Sequence, residues 1–150
     1  MNRVWKPNVT VAALIERGGS FLLVEEETDD GLRFNQPAGH LDEGESLVAA
    51  CARATLEETA WAFTPTALVG VYQWPRPQGD ITYLRFAFSG ELGLHHAGRS
   101  LDAGIQRAVW MTPDEIGATV ERHRSPLVWQ CIADYLAGRR YPLELLTHYG

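Results

Sequence analysis

The chain has 150 residues, a formal net charge of −6 and 45% hydrophobic residues, which fits a single globular domain over residues 1–150 that buries roughly two-thirds of its unfolded surface without disulfides. The acidic balance, with no basic run, argues against nonspecific nucleic-acid binding, which needs a positive stripe to displace counterions. It leaves phosphate ligands open, because a metal ion inverts the local field.

Cys51 and Cys131 lie far apart and outside any CxxC or zinc-finger spacing, so reduced, buried thiols are expected, as suits a cytoplasmic protein. The opening stretch MNRVWKPNVTVAALIERG carries too short an apolar run for a secretory signal or a membrane span, and no membrane partner is expected.

Residues 9–15 (VTVAALI) and 20–25 (SFLLVE) are β-rich runs flanking Gly18-Gly19, which predicts a hairpin between them. Residues 25–33 then read as a polar loop. In Asn35-Gln36-Pro37-Ala38-Gly39, Pro37 restricts Gln36 to extended backbone and Gly39 permits close approach, so this is a loop that brings backbone near something. The pattern becomes helical over 46–59, with Ser46 as its cap. At about 100° per residue, Val48, Cys51, Ala52, Thr55, Leu56 and Thr59 share a packing face, while positions 54, 57 and 58 share one left free for chemistry.

Residues 67–73, 82–88 and 108–111 read as later strands. Thr112-Pro113-Asp114-Glu115 has the cap and early acids of a second helix, and residues 127–137 carry a Leu127, Cys131, Tyr135 stripe of a third. The fold class is α+β, with helices packed on a sheet.

Glu57 and Glu58 project from the central helix near residue 54 and near the preceding loop. Two carboxylates with open positions suit a hard cation that keeps its waters, Mg²⁺ or Mn²⁺, which could bridge phosphate oxygens. A solvated Glu-Glu pair with an ordinary Arg53–Glu57 ion pair is the competing account of the same residues.

The spacing Gly39, five residues, Glu45, seven residues, Arg53, three residues, Glu57-Glu58 resembles the box of the Nudix hydrolases, and segments outside it extend the likeness over nearly the whole chain, to a bacterial phosphatase branch of that family. The resemblance implies a mixed β-sheet sandwiched between α-helices. It implies Glu57 and Glu58 as metal ligands joined by the Ala38 carbonyl, Arg53 as the arginine that orders the carboxylates, and Glu45 as its ion-pair partner. Its implied reaction is Mg²⁺-dependent release of phosphate from nucleoside tri- and diphosphates or from hydroxymethylpyrimidine pyrophosphate, a thiamine precursor, with Mn²⁺ as a substitute metal and the protein a monomer or homodimer.

The chain departs from the box at three positions. Ala54 stands where the family has a glutamate that ligates metal and in some members acts as general base, Thr55 where it has an apolar residue, and Ala60 where it has a glycine. The last two are mild changes. The first opens a second reading, a nucleotide- or pyrophosphate-binding domain impaired in turnover, with a natural or introduced alanine at position 54.

Arg85, in a strand pattern, could reach a substrate phosphate or form a structural ion pair. Arg33 is a second cationic candidate. Trp74, Phe34 and Tyr83 could stack on a heterocycle or simply pack. The expected loop over 91–102 carries Asp102, a supporting acid or base candidate, and His95 and His96, which could be a base pair or merely polar.

Overall fold

A computed structural model describes residues 3–150. The first sheet has strand order β5-β1-β7-β6, from β1 (Asn8–Leu14), β5 (Ala38–His40), β6 (Trp61–Pro75) and β7 (Thr82–His95); β1 and β7 run parallel and the other pairs antiparallel. The second sheet joins β2 (Glu16–Arg17), β3 (Ser20–Thr28) and β4 (Gly31–Asn35), with β8 (Ile105–Met111) against β3.

Strand β1 is apolar at consecutive positions because both of its faces are covered. Val11 and Ala13 enter one core cluster with Ala50, Cys51 and Ala54 of α1 (Leu47–Thr59), while Ala12 and Leu14 enter another with Cys131 and Ile132 of α3 (Leu127–Leu136). Helices on both faces of a mixed sheet are the architecture expected from the family resemblance.

The predicted hairpin between residues 9–15 and 20–25 does not form. Residues 9–14 and 20–25 belong to different sheets, and the turn at Gly18 and Gly19, with φ of 59° and 83°, joins the two-residue β2 to β3, the first run reaching that ladder only where the Leu22 N–H donates to the Ile15 carbonyl at 2.9 Å. A run buried on both sides takes the centre of a sheet, so its partners come from distant sequence, here β5 and β7. The polar loop predicted over 25–33 is also overturned: β3 continues through its glutamates to Thr28 and returns as β4 from Gly31. Those acids tolerate extended backbone because this end of the hairpin borders an open cleft.

The loop expected over 35–39 is reduced to Gln36 and Pro37, because Asn35 ends β4 and Ala38 and Gly39 pair with β1 as β5; the other elements match their expected positions, with longer strands. Ser46 caps α1 by accepting from the Ala49 N–H at 3.1 Å. The helix ends at Ala60 in the left-handed region (φ 63°), whose N–H donates to the Leu56 carbonyl. The second helix, α2 (Pro113–Gly117), opens with a reciprocal capping box between Thr112 and Glu115. No helix among the described residues is long and apolar enough to cross a membrane.

Candidate active site

The bend from β4 through β5 into α1 sets Ala38 and Gly39 against the carboxylate face of the helix. The backbone N–H of Ala38 donates to Glu58 Oε1 at 2.9 Å, which fixes one oxygen and leaves the other free. Burial pushes the Glu58 carboxyl up to about 8, the charges of Glu26, Asp102 and Glu57 push in the same direction, and the Ala38 bond opposes them. Among the described residues no cationic side chain pairs with Glu58. A half-buried carboxylate facing three other acids needs a proton or a cation beside it.

Arg53 organises the neighbouring acids. Its Nε and Nη2 donate to the two oxygens of Glu45 at 2.7 and 2.9 Å, its Nη1 to Glu57 at 2.8 Å, and Nη2 also to the His40 carbonyl at 2.8 Å. This fork holds the Glu45 carboxyl below its usual range and the Arg53 guanidinium above its own. Glu45 additionally accepts from the Asp42 N–H at 3.1 Å, so the loop entering α1 is tied to the helix.

Ala54 is not on an open face. It is 1% exposed, in the core cluster with Ala50 and Cys51, and the expectation that positions 54, 57 and 58 form one free face fails at its first member. The reason is strand β5, because Gly39 packs directly over the Ala54 methyl.

A cleft of about 1200 Å³ runs from Glu58, Ala38 and Gly39 past Arg85 and Arg33 to Trp74 and Tyr83. Arg85, 6% exposed, donates through Nη1 to Gln36 Oε1 at 2.8 Å and through Nη2 to Asn35 Oδ1 at 2.9 Å. The structural ion pair considered for it is absent among the described residues, where Arg85 has only neutral acceptors and so keeps an unbalanced charge in the cleft wall. Arg33 is half-buried in the same wall, bonded to the Leu32 carbonyl at 3.1 Å. Trp74 and Tyr83 are cross-strand partners stacked with centroids 6.0 Å apart and planes 15° apart.

Other candidates fall outside this constellation. Phe34 is buried beneath the Arg122 guanidinium, 4.4 Å from its ring centroid, and packs rather than lining the cleft. His95 belongs to strand β7, not to a loop, and lies 4.7 Å from the Trp61 ring; neither it nor His96 borders the cleft. The backbone N–H of Asp102 donates to the Glu57 carbonyl at 3.0 Å, which sets the exposed 96–104 loop beside the carboxylate helix.

Sequence reading missed Glu26, Asn35, Gln36 and Arg124. Glu26 could have been found once the strand was extended, because alternation from Leu22 and Val24 sends it to the same face as Leu22, which packs in the cluster containing Ala54.

The donors at the carboxylate end are all hard oxygens beside a cation-deficient Glu58, which fits a divalent cation such as Mg²⁺. Among the described residues no three His, Cys, Asp or Glu side chains form a ready-made cage.

Residues 5–130 match the model of the NUDIX domain. The chain is 39% identical over 147 residues to Phosphatase NudJ of Escherichia coli K12, an alignment covering 98% of this chain and 95% of that one. A NUDIX hydrolase from Nitrosomonas europaea superposes with a TM-score of 0.93 at 52% identity, over 96% of this chain and 98% of the other. A MutT NUDIX hydrolase from Burkholderia pseudomallei shares the fold at a TM-score of 0.74 and 16% identity, covering 87% of this chain and 98% of its own.

Proposed function

The chain belongs to the NUDIX family of hydrolases, and we propose that it releases phosphate, with Mg²⁺, from nucleoside tri- and diphosphates or from hydroxymethylpyrimidine pyrophosphate. The reading takes residues 1–150 as one domain, monomeric or dimeric, working in the cytoplasm. The observation that carries it is the pairing of Glu58, half-buried without a cationic partner among the described residues, with the Ala38 backbone at one end of a cleft whose wall holds Arg85, bonded only to neutral acceptors. The likeness to Phosphatase NudJ supports phosphate release.

Glu57, Glu58 and the Ala38 carbonyl would hold the cation. Bound there, Mg²⁺ would offset phosphate charge and bring substrate oxygens into line for attack. The chain's own groups do the rest. Arg53 keeps Glu57 in one orientation by tying it to Glu45 and His40, while the Ala38 N–H does the same for Glu58. Arg85 and Arg33 offer phosphate oxygens charge-assisted donors in a cleft that Glu26, Glu27, Asp29 and Asp30 also border. Trp74, held flat against Tyr83, offers an aromatic face to a heterocycle in the same cleft.

A slower variant of the reading, a domain that binds pyrophosphate with impaired turnover, is favoured by the Ala54 methyl lying sealed beneath Gly39. The discriminating experiment is product analysis on a panel of a nucleoside triphosphate, a nucleoside diphosphate and hydroxymethylpyrimidine pyrophosphate. Phosphate release with turnover supports the proposal; binding to all three without product supports the impaired domain.

A further inference from the structure

We propose that Glu26 is a catalytic residue of this hydrolase, a carboxylate brought from β3 to the cleft that accepts the proton of the attacking water in place of the side chain that Ala54 lacks. The inference rests on the hydrolytic reading above.

Glu26 is placed for such a task in a way that Asp102, on an exposed loop, is not. Its Oε1 accepts from Arg124 Nη1 at 3.0 Å and, more distantly, from Asn35 Nδ2 at 3.4 Å. Asn35 is itself set by Arg85: a guanidinium only donates, so the Asn35 oxygen must face Arg85 and its amide nitrogen must face Glu26. Two donors on one oxygen fix the carboxylate plane. Among the described residues Glu26 Oε2 has no partner, and the side chain, 14% exposed, borders the same cleft as Glu58.

The backbone points the same way. Pairing between β3 and β8 shifts between Glu25 and Glu26, with Glu25 opposite Arg107 and Glu26 opposite Ile105, so that Gln106 is an extra residue on β8. The bulge bends β8 and leaves the alternation of β3 intact. Glu26 thus keeps its place in the row begun by Leu22, which packs in the cluster that contains Ala54. The carboxylate missing from α1 is thus answered from the opposite sheet.

The step balances without a further reactant. The water oxygen bonds to phosphorus, one water proton passes to Glu26 Oε2, and the other stays on the new phosphate hydroxyl. The bridging P–O bond breaks with its electron pair going to the departing phosphate, which then takes the proton from Glu26 and restores the carboxylate.

The test compares the protein with Glu26→Gln and Glu26→Asp. Phosphate release from a nucleoside triphosphate under saturating Mg²⁺ is read beside Mn²⁺ affinity by electron paramagnetic resonance and the thermal midpoint. Glu26→Gln should lower kcat by about 10² to 10⁴, the usual worth of a positioned base, with KM, Mn²⁺ affinity and midpoint little changed. Glu26→Asp should retain part of the rate. An unchanged kcat in Glu26→Gln, beside an active parent, overturns this proposal and leaves the hydrolytic reading standing. A loss that comes with weakened Mn²⁺ binding or a lowered midpoint also overturns it, making Glu26 a ligand or a structural acid. An inactive parent overturns the hydrolytic reading, and this proposal with it.

Discussion

Gly39 and Ala54 pack so closely that a β-carbon at position 39 would fall 2.8 Å from the β-carbon of Ala54. This contact sets the distance between strand β5, which carries Ala38, and the helix that carries Glu57 and Glu58. Gly39→Ala is expected to lose about 1 to 3 kcal/mol of stability by overpacking. Urea denaturation reads it, and an unchanged midpoint would show that the loop shifts freely.

Ala60 closes α1 at φ 63°, a conformation that a β-carbon penalises and glycine accepts. The substitution that looked mild in sequence therefore carries backbone strain. Ala60→Gly should raise stability by about 1 kcal/mol, measured by the same denaturation, and a fall would mean that the Ala60 methyl contributes more by packing than its backbone costs.

Most of the carboxylate site was legible because it is local. Gly39, Glu45, Arg53, Glu57 and Glu58 lie within one loop and one helix, and helical spacing alone predicts the Arg53–Glu57 contact that the structure shows at 2.8 Å. What escaped is non-local. The parallel pairing of β1 with β7 joins residues more than seventy positions apart, as with Asn8 and Tyr83, and no short-range pattern encodes it. The strand expected over 67–73 begins earlier, at Trp61; β6 lies at the sheet edge and its pairing shifts between Pro65 and Ala67, where the missing N–H of Pro65 is tolerated. Glu26 was hidden for a related reason, because a run of acids reads as a loop until the neighbouring strands are known.

Arg53 spans three acceptors at once, Glu45, Glu57 and the His40 carbonyl. A lysine ammonium cannot reproduce that planar fork. Arg53→Lys should keep the fold but lower kcat at least about tenfold, because Glu57 loses its fixed orientation. Steady-state kinetics with a matched circular dichroism spectrum checks this; full activity in Arg53→Lys would reduce Arg53 to a mere countercharge.

Glu25 is held below the usual carboxylate range by hydrogen bonds from Arg107 first and Arg122 second, against the opposing effect of burial. A carboxyl depressed in the folded state contributes stability above its unfolded pKa of about 4.3, and that contribution is lost as pH falls through the lower folded value. The urea midpoint of the parent should therefore drop as pH is lowered from 5 toward 3, in about that window. Glu25→Gln should show a shallower drop over the same interval, and parallel curves would contradict the assignment.

The central claim is that Glu58, oriented by the Ala38 N–H, serves a cation-dependent hydrolysis despite the alanine at 54. Its most direct measurement is phosphate release from a nucleoside triphosphate as Mg²⁺ is titrated, for the parent chain and for Glu58→Gln. The account predicts Mg²⁺-dependent release by the parent, with a rate at least about 10² lower and a weaker Mg²⁺ midpoint in Glu58→Gln. Equal rates and equal Mg²⁺ midpoints in the two proteins would contradict it.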